Sequence, residues 1–150
     1  MTWAHLHLAL NHVPVVGIFL VILLLGGAVV RGSWDLLRAS YGLIILLVVI
    51  AIGVYFTGEP AEELIEHLAG FSEPLVERHE EAALIATIGI SILGLSAVAG
   101  LTLRVGTWYP KAVLLLTLVV AALMGWTANL GGQIRHSEIR VPGQVTTGER

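Results

Sequence analysis

One hundred and fifty residues are enough for one domain and too few for two of ordinary size. With 56% hydrophobic residues, only 13% charged and a mean hydropathy of +0.86, the chain is too apolar for an ordinary soluble enzyme, a disordered tail or a nucleic-acid binder. A net charge of −3 offers nothing to a phosphate backbone. The absence of cysteine excludes structural disulfides, Cys-ligated zinc, iron–sulfur clusters and covalently attached c-type haem.

Runs without any Asp, Glu, Lys or Arg cover 1–30, 39–58, 82–103 and 112–134. About 20 apolar residues in a helix cross the roughly 30 Å hydrocarbon layer, so each run holds one span. The expected spans are 13–30, 40–56, 82–103 and 112–130, in one domain covering 1–150. The first run lacks a basic leader and its apolar core exceeds that of a signal peptide, so it reads as a retained first helix. The fold expected is all-α: an integral membrane up-down four-helix bundle with a short helical outer loop.

The connections sort by charge. The stretches 31–38 and 104–111 carry Arg31, Arg38, Arg104 and Lys111 against Asp35 alone, whereas the N-terminus, the 57–81 loop and the tail carry ten acids and four basic residues. The basic loops are then cytoplasmic, which puts both termini on the outer side of a bacterial inner membrane. Trp34, Trp108 and Tyr109 fall where an inner aromatic belt would lie. Within the long loop, Pro60 reads as the first residue of a short helix ended by Gly70, with Glu59, Glu62 and Glu63 in its first turn. Ser72-Glu73-Pro74 opens another helix that runs into the third span.

All six histidines, His5, His7, His12, His67, His79 and His136, fall on the outer side of this topology. Histidine is tolerated at interfaces, yet hydrophobic patterning does not require six on one side. His5 and His12 are seven residues apart, close to two full turns, and share a face unless Pro14 distorts it. His12, His79 and His136 stand at three helix ends that converge in an up-down bundle. Converging imidazoles suit bis-histidine ligation of haem b, with His12 and His79 the expected pair and His7 with His136 the next if two haems are bound. Arg78 and Arg135 are the candidate partners of the propionates. They serve equally as interfacial salt bridges. The alternative is a divalent metal held by those histidines, His5, Glu62, Glu63 and Glu80. The spans hold no ionisable residue, which argues against a channel or transporter. No nucleophile constellation appears, and electron transfer needs none.

The segments His5-x-His7-x-x-x-Asn11-His12-x-Pro14, Thr57-Gly58, His79-Glu80 and Thr127-Ala128-Asn129-x-Gly131-Gly132-x-Ile134-Arg135-His136 resemble a family of small, uncharacterised, histidine-rich bacterial membrane proteins of four helices that are suspected of binding haem b. The resemblance runs from Trp3 to about Ile139. In that pattern a proline follows the last histidine, where this chain has Ser137. The resemblance implies a small membrane redox protein. The function expected is therefore a b-type cytochrome that passes electrons from a membrane donor such as quinol to an outer-side acceptor, either a basic protein or a larger membrane redox complex. A His/Glu metalloprotein and a purely structural subunit are the competing readings.

Overall fold

The computed structural model describes residues 2–64, 66–67 and 71–140. These are all-helical, without strands. The elements are α1 (Trp3–Leu10), α2 (His12–Arg31), α3 (Trp34–Phe56), α4 (Gly58–Glu62), α5 (Glu73–Thr102), α6 (Tyr109–Arg135) and a final 3-10 turn, Ser137–Ile139. Four helical stretches, Trp3–Arg31, Trp34–Phe56, Glu73–Thr102 and Tyr109–Arg135, are long and apolar enough to cross a membrane.

Local chemistry sets the element ends. Thr2 caps α1 by accepting from the His5 N–H at 3.4 Å. Asn11 separates α1 from α2 while keeping a right-handed backbone, φ −60° and ψ −28°. The interruption follows from Pro14, which has no N–H to give the Leu10 carbonyl one turn earlier. Gly32 closes α2 at φ +62°, a left-handed position that costs a glycine nothing. Ser33 then caps α3 through the Leu36 N–H. Pro74 and Pro110 sit in the first turns of α5 and α6, where a missing N–H is no loss.

The expected helix starting at Pro60 begins two residues earlier, at Gly58, and ends at Glu62. Gly70, its expected stop, lies outside the described residues. By contrast, α5 starts at Glu73 and continues unbroken for 30 residues.

Each long helix packs on two others: α2 on α3, α3 on α5, α5 on α6, and α6 back on α2. The inward residues recur at intervals of three and four: Ile18, Val21, Leu25 and Ala28 on α2; Leu37, Tyr41, Ile44, Leu47 and Ala51 on α3; Ala86, Ile90, Leu93 and Ala97 on α5. That spacing is the seam of helices lying nearly side by side. The outward faces are as apolar as the core. Leu23, Val49, Leu95 and Leu115 are each about two-thirds exposed or more, a surface that water does not favour.

Hydroxyls within the helices are satisfied locally. Ser40, Ser91, Ser96, Thr102, Thr117 and Thr127 each donate to the carbonyl four residues back. These six therefore line up no polar path along the core. Tyr109 donates to the Ser96 carbonyl at 2.8 Å and ties α6 to α5 near their joining loop.

Candidate functional site

The end of the helices opposite that loop gathers α1, the C-terminus of α3, α4, the N-terminus of α5 and the C-terminus of α6. Two half-buried histidines occupy it. His7 Nδ1 lies 3.2 Å from the Val54 carbonyl and 3.0 Å from Thr57 Oγ1. The Thr57 hydroxyl spends its own proton on the same carbonyl at 2.7 Å, so towards His7 it accepts. His7 Nδ1 is therefore the protonated nitrogen, donating to both oxygens. His79 follows the same rule: its Nδ1–H donates to the Thr127 carbonyl at 3.0 Å.

Both imidazoles thus keep Nε2 as a free lone pair, in a tautomer fixed by backbone oxygens. This is how proteins prepare a histidine for an axial or metal bond. The two rings are close enough to interact electrostatically, although they arrive from helices 72 residues apart in sequence. Glycine makes room for His79 but is not needed for His7, where an added Cβ would only be in ordinary contact. A Cβ on Gly58 would stand 3.9 Å from His7 Cε1, and one on Gly131 would stand 3.0 Å from His79 Cε1 and 3.3 Å from its Nδ1. His79 packs closely on α6 at position 131, where there is no side chain.

The other expected ligands lie elsewhere. His12 is exposed, lines an apolar groove between α2 and α3, and makes no hydrogen bond among the described residues. The pairing of His12 with His79 is therefore not the one the helices bring together. Five residues turn a helix by about 500°, so His12 sits about 140° round from the face that carries His7. His5 is exposed and bound to Thr2 Oγ1 at 2.7 Å. His136 is exposed and faces Glu138 Oε1 at 3.0 Å. The backbone N–H of Glu138 and His136 together hold the Glu138 carboxyl below its ordinary range. Arg78 and Arg135 are exposed and make no ion pair among the described residues.

Of the acids, Glu63 is exposed, while Glu62 shares a hydrogen bond with Glu80 across α4 and α5. Partial burial, that hydrogen bond and the charges of Glu80, Glu66 and Glu59 push the Glu62 carboxyl up to about 7. Among the described residues, no group of three or more His, Asp or Glu is arranged to hold a metal ion.

Sequence reasoning named Thr57, Thr127 and Gly131 within motifs but missed what they do. The signal was available for two of them: Thr127 and Gly131 are one turn apart, so a carbonyl and a bare Cα share one face of α6. Two buried amide oxygens, Asn11 Oδ1 and Gln133 Oε1, have no partner, although Gln133 Nε2 donates to Asn129 Oδ1 at 2.7 Å. Arg140 covers the end of α6, donating to the carbonyls of Gln133 and Ile134.

The raised Glu62 carboxyl makes this end sensitive to pH. A carboxyl that holds its proton more tightly when folded contributes most below its unfolded value, and loses that contribution as pH rises through about 7. Hydrogen exchange in α4, corrected for intrinsic rates, should accelerate between about pH 5 and about pH 8, and Glu62→Gln should flatten the rise. Identical profiles for the two proteins would mean that the Glu62 carboxyl does not titrate in this range.

Comparison with protein-family models, with curated proteins and with solved structures finds no significant match to this chain. The fold and site by themselves define an all-α chain with four membrane-length apolar helices and a backbone-oriented histidine pair at one end.

Proposed function

We propose that this chain is an integral membrane b-type cytochrome whose haem b is held axially by His7 and His79. The observation that carries the reading is the matched state of the two imidazoles: each gives Nδ1–H to a backbone carbonyl and keeps Nε2 unprotonated. Haem iron needs two such nitrogens, whereas a divalent ion in a closed site needs three or four donors. No such donor group is found among the described residues, which places the His/Glu metal reading second. Haem, when bound, supplies a one-electron carrier. The chain's part is to fix two ring orientations and to surround them with α1, α5 and α6.

In this reading the four long helices form an up-down bundle in a bacterial inner membrane, with the histidine end and both termini on the outer side. A 30-residue α5 is about 45 Å long, so it spans roughly 30 Å of hydrocarbon with turns to spare for Glu73, Glu77, His79 and Glu80 at the surface. Quinol is the membrane donor. The 57–81 segment, with eight acids and one arginine, faces a basic acceptor or a partner complex. A reporter fused at the C-terminus and active only in the cytoplasm should stay silent; activity would invert the topology.

The absorption spectrum of the protein purified in mild detergent tests the site. A Soret band with sharp reduced α and β bands is expected. His7→Ala or His79→Ala should lose the haem or turn it high-spin, because one axial nitrogen is gone, while His67→Ala should leave the spectrum unchanged. A metal without a Soret band returns the reading to the His/Glu alternative, and neither leaves a structural subunit.

A further inference from the structure

The end of the helices opposite the histidines carries four cations. Arg31 closes α2, Arg38 stands in the second turn of α3, Arg104 follows α5 and Lys111 lies in the first turn of α6. All four are exposed, and the side chain of none makes a hydrogen bond or ion pair among the described residues. The packing of α3 on α5 sets two of them at one level. Gly100 meets the Tyr41 ring; Arg38 precedes Tyr41 by three residues and Arg104 follows Gly100 by four, so both stand about one turn beyond that contact. Links of two residues between α2 and α3 and six between α5 and α6 keep Arg31 and Lys111 near the same level. Asp35 is the one acid here, against eight in the 57–81 segment at the other end. Lys111 works against its own helix, because a first turn favours a carboxylate and α6 has none there. Apolar side chains flank the cations. Val30 adjoins Arg31 and Leu103 adjoins Arg104, exposed by 85% and 63%, while Trp34 and Trp108 stand about one turn from Arg38 and Lys111 and are exposed by 53% and 66%.

We infer that this end binds anionic phospholipid, with the headgroup phosphate among the four cations and the upper acyl carbons against Val30 and Leu103. The inference rests on the membrane placement in the proposed function and not on haem. Charge and apolar surface together select the ligand. A soluble acidic partner would pair with the cations but leave Val30 and Leu103 to water, whereas a lipid covers both. Indoles favour the headgroup level of a bilayer, which is where Trp34 and Trp108 would place these cations. A zwitterionic lipid brings its own ammonium beside its phosphate, so four cations facing one acid favour a headgroup of net negative charge. Each Lys or Arg close to such headgroups is worth about fivefold in affinity. The histidine end repels the same lipid, since Arg78 and Arg135 stand there beside the acidic segment.

The full chain in an uncharged mild detergent, titrated with dioleoyl phosphatidylglycerol or dioleoyl phosphatidylcholine, tests the inference. The readouts are Tm and the number of lipids retained in native mass spectra. Phosphatidylglycerol should raise Tm saturably and stay bound, and phosphatidylcholine should do neither. Arg38→Gln and Arg104→Gln should each weaken the apparent affinity about fivefold, and the double variant about 25-fold. Their Tm without lipid should match the wild type, because both side chains are exposed and make no bond among the described residues. Arg104→Lys, which keeps the charge, and Arg78→Gln, at the other end, should bind as the wild type does. Equal responses to the two lipids would overturn the inference, as would equal weakening by Arg78→Gln and Arg104→Gln. Inorganic phosphate reproducing the rise at matched concentration would assign the cations to a free anion instead. A polyglutamate peptide that binds and is not displaced by phosphatidylglycerol would assign them to an acidic protein. The two proposals fail separately: selective lipid binding without a Soret band refutes the cytochrome alone, and a Soret band with equal responses to both lipids refutes the lipid site alone.

Discussion

Gly100→Ala should destabilise the protein by about 2–3 kcal/mol, the cost of forcing extra volume into a packed core. Gly100 on α5 faces Tyr41 on α3. A Cβ added there would run into Tyr41 Cε2, with Cζ at 2.9 Å and Oη at 3.1 Å. The obstacle is a flat aromatic ring with no exposed surface rather than the loose end of an aliphatic chain. It cannot swing aside, because Ile44 and Leu37 flank it on α3 and Ala97 sits one turn away on α5, all buried. For a chain of this length each kcal/mol lowers Tm by about 2–4 °C, so a fall of roughly 4–12 °C is expected in mild detergent. Gly26→Ala and Gly125→Ala are the controls: nothing lies within 4 Å of either added methyl, and alanine favours the helix by up to about 1 kcal/mol. Equal Tm values for Gly100→Ala and these controls would mean that α3 and α5 are not in the contact described. Tyr41→Phe adds a second check. The Tyr41 hydroxyl is buried without a partner, so its removal should leave stability unchanged or raise it.

The four long helices were legible because charge is so costly in an apolar layer that its absence marks a span more sharply than hydropathy does. The expected spans nevertheless fell short of the helices. Ser33 caps α3 seven residues before the expected 40, and Glu73 opens α5 nine residues before the expected 82. Charge tells where a bilayer would end, whereas capping tells where a helix ends. Which histidines meet was not legible. The seven-residue spacing puts His5 and His12 on one face, and the face that meets α3 is the other one, which carries His7. His7 reaches α3 through a carbonyl and a hydroxyl 47 and 50 residues away. Contacts across that separation depend on how two helices cross, which a repeat of threes and fours does not encode. The contact of Glu62 with Glu80 was hidden for the same reason, because the two sit on different elements.

Gly131→Val should dislodge His79 from its carbonyl while leaving the four long helices assembled. The wild-type ring lies against α6 with Cε1 3.0 Å, Nδ1 3.3 Å and Nε2 3.7 Å from where a Cβ would stand. Alanine at this position asks for a few tenths of an ångström, which the ring can give by sliding. Valine adds two methyl groups on the same face of α6 and removes that freedom. The ring then leaves the Thr127 carbonyl, at 3.0 Å its one hydrogen-bond partner. What is lost is the fixed tautomer rather than packing, since residue 131 is only partly buried and α6 is anchored below it by Leu130 and Met124. The expected loss is that of one hydrogen bond, about 1 kcal/mol, with Tm lowered by about 2–4 °C. The specific readout is the pair of ring nitrogen shifts of His79 in ¹⁵N spectra. The wild type should show one neutral tautomer with Nδ1 protonated, the alanine variant the same, and the valine variant a mixture of both tautomers, as for a histidine in water. If the valine variant keeps the single tautomer, then Gly131 is not what lets the ring reach Thr127. Under the proposed function, the same substitution should broaden or shift the reduced α band without the complete loss expected of His79→Ala, because a ring free to turn can still offer Nε2, though no longer in one fixed orientation.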